Sequence, residues 1–139
     1  MPNAADLLMQ DHRTIRRLLA QLDGGHDDDA VDRLVHEVDV HLEAEERFLY
    51  PVVEDNVHGV DAGVEELTGE HRELRDALDE LAKTGDPDDR IALLDAARTV
   101  FERHVRREES DVLPRCQTEL GEARMQELGR ELEVFRESH

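Results

Sequence analysis

His41-Leu42-Glu43-Ala44-Glu45, followed by Pro51, returns later in the chain as His104-Val105-Arg106-Arg107-Glu108, followed by Pro114. Each histidine stands four residues before its glutamate and ten before its proline. On a helix, positions four apart share a face with Cβ atoms about 5–6 Å apart, so an imidazole nitrogen and a carboxylate oxygen can address one point. Each stretch is half of a metal site, and its repetition predicts one device built twice.

Outward from these stretches the apolar pattern is helical. Leu8, Ile15, Leu19 and Leu22 form a first stripe whose missing step is filled by His12. Asp23-Gly24-Gly25 is expected to stop that helix, and Asp27-Asp28-Asp29 supplies N-cap candidates for the next. The second stripe carries Val31, Leu34, Val38, Leu49 and Val52 and passes through His41 and Glu45; Pro51 is expected to bend or end it. A third helix starts near Asp61 with Val64, Leu67, Leu74, Leu78 and Leu81, and His71 fills its gap. Lys83-Thr84-Gly85 closes it, and Asp86-Pro87 opens a fourth carrying Leu94, Ala97, Phe101 and Val112 with His104 and Glu108 between them. Beyond Pro114, Met125, Leu128, Leu132 and Phe135 mark a fifth amphipathic helix that either closes one end or mediates dimerisation.

This reading is all-α: two similar helical hairpins packed as an up-down-up-down four-helix bundle over about residues 4–116, with an extra C-terminal helix at about 119–137. A chain of 139 residues is expected to be one domain, 1–139. The composition agrees, with 38% charged residues, one Tyr, three Phe and no Trp. At about 1.5 Å of rise per residue, His12 and His41 fall at one level, as do Glu45 and His71. The last hairpin fits less well, which predicts an overhanging start to the fourth helix or a misplaced boundary.

The net charge of −19, with Lys83 the sole lysine, argues against nucleic acid or an anionic membrane as partner and reads as a solvated acidic surface. Cys116 is the single cysteine, so no intrachain disulfide is possible and the thiol is expected to be inert. No signal peptide or membrane span is visible, and a soluble cytoplasmic protein, monomer or homodimer, is expected.

A lone histidine on an apolar stripe is commonly a hydrogen-bonded core residue. Here six polar residues, His12, His41, Glu45, His71, His104 and Glu108, interrupt four stripes, none of which carries Arg or Lys. Two buried carboxylates would each cost several kcal/mol without compensating positive charge, and a divalent metal pair supplies it. Four imidazoles and two carboxylates without sulfur suit Fe, Mn or Zn. The ferritin-like arrangement needs Glu three residues before its His, where this chain has Val38 and Phe101. Glu46 and Glu109 follow the two glutamates and could support the ligands from outside or replace the glutamates as ligands, although helical phase favours the first of each pair as the ligand. Tyr50, a turn from Glu45, could hydrogen-bond near the metals, but as a lone aromatic it is expected chiefly to pack beside Pro51. His26, His36, His58 and His139 fall off the stripes and are expected to face solvent.

At these residues the chain resembles the hemerythrin-like, or HHE cation-binding, family: a first-helix His, a second-helix HxxxE, a third-helix His and a fourth-helix HxxxE, covering about residues 5–116. The resemblance implies a four-helix bundle around two non-haem iron ions. His12 and His41 would bind one, His71 and His104 the other, with Glu45 and Glu108 bridging; Zn or Mn are possible substitutes. Oxygen-carrying members have a further histidine where this chain has Leu67, and a His-x4-Asp final motif, so reversible oxygen carriage is not implied. Six protein ligands leave room for water, oxygen, nitric oxide or peroxide. The expected function is a di-iron protein that binds or senses O2, NO or a related oxidant, more a small-ligand-binding protein than an enzyme. A peroxide-decomposing di-iron enzyme and a metal storage or handling protein are the alternatives.

Overall fold

A computed structural model describes residues 2–22, 27–60 and 63–139. Among the described residues the chain is helical, without a strand, and runs as five helices. Helix α1 is Ala4–Gln21; α2 is Asp28–Ala44, carried on through a wide turn at Glu45–Leu49 into Tyr50–Asn56. Helix α3 is Val64–Lys83; α4 is Pro87–Arg107, carried on through a second wide turn at Glu108–Val112 into Leu113–Leu120; α5 is Glu122–Glu137. None of these helices is long and apolar enough to cross a membrane.

Local chemistry sets the ends. Asn3 and Asp6 form a reciprocal capping box at 3.0 Å in both directions, satisfying two of the N–H groups that a helix start leaves open. Asp27 caps α2 and Asp86 caps α4, with Pro87 in its first turn, where a missing N–H costs nothing. The expected stop at Asp23-Gly24-Gly25 and start at Asp61 lie outside the described residues.

Pro51 does not end α2. Proline lacks a donor and its ring crowds the carbonyl four residues back, so an unmodified α-helix would break there. The chain instead inserts one extra residue into the preceding turn, so that the Tyr50 N–H bonds to the Glu45 carbonyl and Pro51 starts a fresh helical segment. Pro114 is handled identically, with the Leu113 N–H on the Glu108 carbonyl. The extra residue also shifts the apolar stripe. Val52, expected in the core, is half-buried, whereas Tyr50 and Val53 are buried.

Two apolar clusters make the core. The first joins Leu7 and Leu8 of α1, Leu49 and Val53 of α2, Leu67 of α3, Leu113 and Cys116 of α4, and the inner face of α5. The second joins Ile15 and Leu19, Leu34 and Val38, Leu74 and Leu78, and Leu94 and Phe101. Thus α1 and α3 put their N-terminal halves in the first cluster, whereas α2 and α4 put their C-terminal halves there. The six polar residues of the four stripes fall where each helix passes from one cluster to the other, with His41 and Glu45 flanking the changeover between Leu42 and Ala44.

The misfit in the last hairpin is an overhang. The boundaries at Lys83 and Pro87 are those expected, but residues 87–93 lie exposed or half-buried and Leu94 is the first buried residue of α4. Arg90 ties the overhang down, donating to the Thr84 carbonyl at 3.0 Å and to Asp28 at 2.6 Å.

Gly121, at φ +82°, turns the chain out of α4 so that α5 packs back against α1 and α2. Its apolar face, Met125, Leu128, Leu132 and Phe135, is buried in the first apolar cluster. Gly129 allows the close approach to α1: a Cβ there would lie 2.9 Å from the Pro2 carbonyl oxygen and 3.0 Å from the Asn3 carbonyl carbon. Because backbone must move to admit it, Gly129→Ala is expected to destabilise the protein by about 1–3 kcal/mol in urea unfolding. Gly85→Ala, which meets nothing within 4 Å, should stay within about 0.5 kcal/mol of the parent.

Candidate metal centre

Helices α1 and α3 each bring one histidine inward, and α2 and α4 each bring a histidine and a glutamate on successive turns. His12, Glu45, His71 and Glu108 are fully buried, and His41 and His104 are 2% exposed. Their donor atoms form two overlapping groups, His12, His41, Glu45 and Glu108 in one and Glu45, His71, His104 and Glu108 in the other. Within each group one ligand atom per residue lies within 4.8 Å of the others, and the two groups share both carboxylates.

All four imidazoles turn Nε2 towards the shared carboxylates. His12 Nε2 is 3.1 Å from Glu108 Oε1, His41 Nε2 is 3.5 Å from Glu45 Oε2, and His71 Nε2 is 3.1 Å from Glu45 Oε1. His104 Nε2 reaches Glu108 Oε2 at 3.2 Å and Glu45 Oε1 at 3.3 Å, and lies only 3.0 Å from His71 Nε2.

A second ring of carboxylates sets that orientation. Each imidazole presents Nδ1 to an acid from a neighbouring helix: His41 to Asp11 at 2.9 Å, His71 to Glu46 at 2.6 Å, His104 to Glu70 at 2.9 Å and His12 to Glu109 at 2.8 Å. The ring closes, because the acid on α1 holds the histidine on α2, and so on through α3 and α4 back to α1. An Nδ1–H donated to a carboxylate leaves Nε2 with its lone pair free for a cation, the usual outer support of a metal-binding histidine. Arginines brace the acids from outside. Arg136 of α5 pairs with Asp11, Arg75 donates to Glu46 at 2.8 Å, and Arg103 donates to Glu70 at 3.0 Å.

Sequence reasoning named Glu46 and Glu109 as outer supports of the ligands or as substitutes for the two glutamates; they lie behind the inner residues, at the far nitrogens of His71 and His12. It missed Asp11 and Glu70, buried acids 7% and 5% exposed. A signal was available: all four outer acids are chain neighbours of an inner residue, in Asp11-His12, Glu45-Glu46, Glu70-His71 and Glu108-Glu109. Tyr50 does more than pack beside Pro51, since its hydroxyl donates to Glu108 Oε2 at 2.8 Å. His36, His58 and His139 are exposed, while His26 lies outside the described residues. Cys116 is buried, and that burial pushes its thiol up to about 12.

The electrostatics express a shortage of positive charge. Burial opposes protonation of His12, yet the hydrogen bond and charge of Glu108 raise its pKa to about 9. Burial likewise opposes protonation of His104, and Glu108 and Glu45 nevertheless lift it well above the ordinary value. Glu108 is held well below the usual carboxylate range against the effect of its own burial, chiefly by the His104 charge. Burial and then the charges of Glu108 and Glu45 push the Tyr50 phenol well above 10. Among the described residues, His41 Nε2 and Glu45 Oε2 are buried without a hydrogen-bond partner, and each faces the other. Orphaned buried acceptors, four Nε2 atoms aimed inward and two carboxylates without an arginine fit a pair of cations.

The model of the hemerythrin HHE cation-binding domain matches residues 3–116. This chain therefore belongs to the hemerythrin HHE cation-binding family, with α5 lying beyond the matched region. No curated protein and no solved structure matches it.

In metal-stripped protein, protons on His12 and His104 are expected to supply part of the missing charge. His12 and His104 have folded-state pKa values above their unfolded ones, so their contribution is complete below about pH 6.5. It is lost as pH rises through the folded value, about 9 for His12. Melts of metal-stripped protein should show Tm falling between pH 6.5 and 9, with on the order of 3 kcal/mol of stability lost for His12 alone. A flat Tm over that window would contradict the imidazole–carboxylate pairing.

Proposed function

We propose that this protein holds two non-haem iron ions and uses them to bind or sense a small oxidant such as O2 or NO. His12 and His41 would be terminal ligands of one ion, His71 and His104 of the other, with Glu45 and Glu108 shared between them. The observation that carries this reading is the pair of four-membered donor groups with both carboxylates in common, built only from buried imidazole and carboxylate. Such a donor set favours borderline divalent metals over soft ones, and Mn or Zn could occupy it in place of iron.

When bound, an iron pair supplies electrons and open coordination positions for a diatomic ligand. The residues of the chain do the rest. The outer acids fix each imidazole in one tautomer and one orientation, so that no rearrangement is needed when a cation enters. The apolar clusters lie on either side of the donor residues, which are at most 2% exposed, and this suits a small ligand better than a bulky organic substrate. Binding of a small ligand therefore has more support than turnover of a larger one.

On this reading residues 1–139 are one domain, with α1–α4 an up-down-up-down four-helix bundle and α5 an added closing helix. The alternation of chain halves between the two apolar clusters supports that arrangement.

The test is anaerobic loading with ferrous iron, metal analysis, and optical spectra before and after O2 or NO. Two irons per chain and a spectrum that responds to either gas are expected. One metal per chain, or two irons indifferent to both gases, would overturn the reading. His41→Ala should lower both the metal content and the Tm, because it removes a ligand and leaves carboxylate charge stranded. Asp11→Ala, which keeps every ligand but frees the His41 ring, should weaken metal affinity by roughly 10–100-fold. Unchanged affinity in a chelator competition would contradict the supporting role of the outer acids.

A further inference from the structure

The repeat that pairs His41 with His104 and Pro51 with Pro114 also pairs Tyr50 with Leu113, each nine residues after its histidine and one before its proline. Both residues follow a wide turn, and each is only 2% exposed. At 3.6 residues per turn, the residue five after a ligand in an ordinary α-helix points about 0.4 of a turn away from it. The extra residue in each wide turn cancels that offset, so position 50 returns to the face of Glu45 and position 113 to the face of Glu108. The first half of the chain puts a phenol there, and the second half an aliphatic side chain.

The Tyr50 hydroxyl lies 2.8 Å from Glu108 Oε2, 3.0 Å from His71 Nε2, 3.2 Å from His104 Nε2 and 3.4 Å from Glu45 Oε1. Those four atoms belong to the four residues of one donor group. A buried phenol needs a single acceptor to be satisfied; this one sits among two imidazole nitrogens and two carboxylate oxygens. In the other group His41 Nε2 and Glu45 Oε2 are buried without a hydrogen-bond partner.

We propose that Tyr50 is a seventh protein ligand, its phenol oxygen bonding directly to the ion held by His71, His104, Glu45 and Glu108. The phenol proton leaves to solvent as the oxygen–metal bond forms. This rests on the two-metal reading above and deepens it: the two ions become chemically unequal. A protein oxygen closes one position on the His71/His104 ion, and an added small ligand is directed to the His12/His41 ion.

Tyr50 is the only tyrosine in the chain, so a tyrosinate signal can be assigned without a variant. Resonance Raman spectra of protein loaded with two ferric ions should show tyrosinate ring vibrations enhanced through a phenolate-to-iron charge-transfer band. Tyr50→Phe, which keeps the other six ligands, should lose that band and those vibrations. Azide added to the parent should introduce its own band and leave the tyrosinate vibrations in place. Two irons per chain without tyrosinate vibrations would overturn the inference while sparing the two-metal reading. Loss of those vibrations on adding azide would overturn the inequality of the two ions. Fewer than two irons would overturn the reading on which both rest. If Tyr50→Phe does not fold, the spectrum of the parent alone decides.

Discussion

Two carboxylates, Glu45 and Glu108, are buried completely between two apolar clusters, and the rest of the molecule is arranged around that cost. An uncompensated buried carboxylate is worth several kcal/mol of instability. Charge therefore alternates outward in shells. The inner carboxylates face imidazoles, the imidazoles face the outer acids Asp11, Glu46, Glu70 and Glu109, and Arg136, Arg75 and Arg103 brace three of those acids. Protonated histidines or bound cations can supply the positive layer. The same residues that make the interior unstable without positive charge make it a receptor for metal.

The wide turns before Pro51 and Pro114 are the backbone counterpart of this arrangement. Proline forbids an ordinary helix at these points, and the extra residue relieves the crowding. The relief has a second effect one residue upstream of Pro51, where it brings the Tyr50 hydroxyl to the donor cluster. Backbone accommodation and side-chain chemistry are thus coupled, and the duplication of the chain makes the coupling visible: one halved device carries Tyr50, the other Leu113.

The C-terminal helix joins the same network although it lies beyond the matched family domain. Its apolar residues complete the first cluster, Gly129 lets it approach α1 backbone to backbone, and Arg136 reaches the acid that orients His41. Packing of this helix is in that way connected through Asp11 to an inner imidazole.

The helices and the six polar residues that interrupt their stripes were legible before folding, because both are written in local periodicity: apolar positions at helical spacing, interrupted by His or by His and Glu four apart. Acid caps at Asp27 and Asp86 and the break at Lys83-Thr84-Gly85 were legible for the same reason. The wide turns were not, since they depend on how a helix continues past proline when packing favours continuation, and the shift from Val52 to Val53 followed from them. The pairing of Asp11 with His41 and Glu70 with His104 was also decided only in three dimensions. Each acid serves a histidine on another helix, so its role lies in the rotation and height of two packed helices, which no spacing within one helix specifies. Tyr50 belongs to the same class: its position near Glu45 was readable, but the direction of its hydroxyl was set by a backbone turn that appears only in the folded chain.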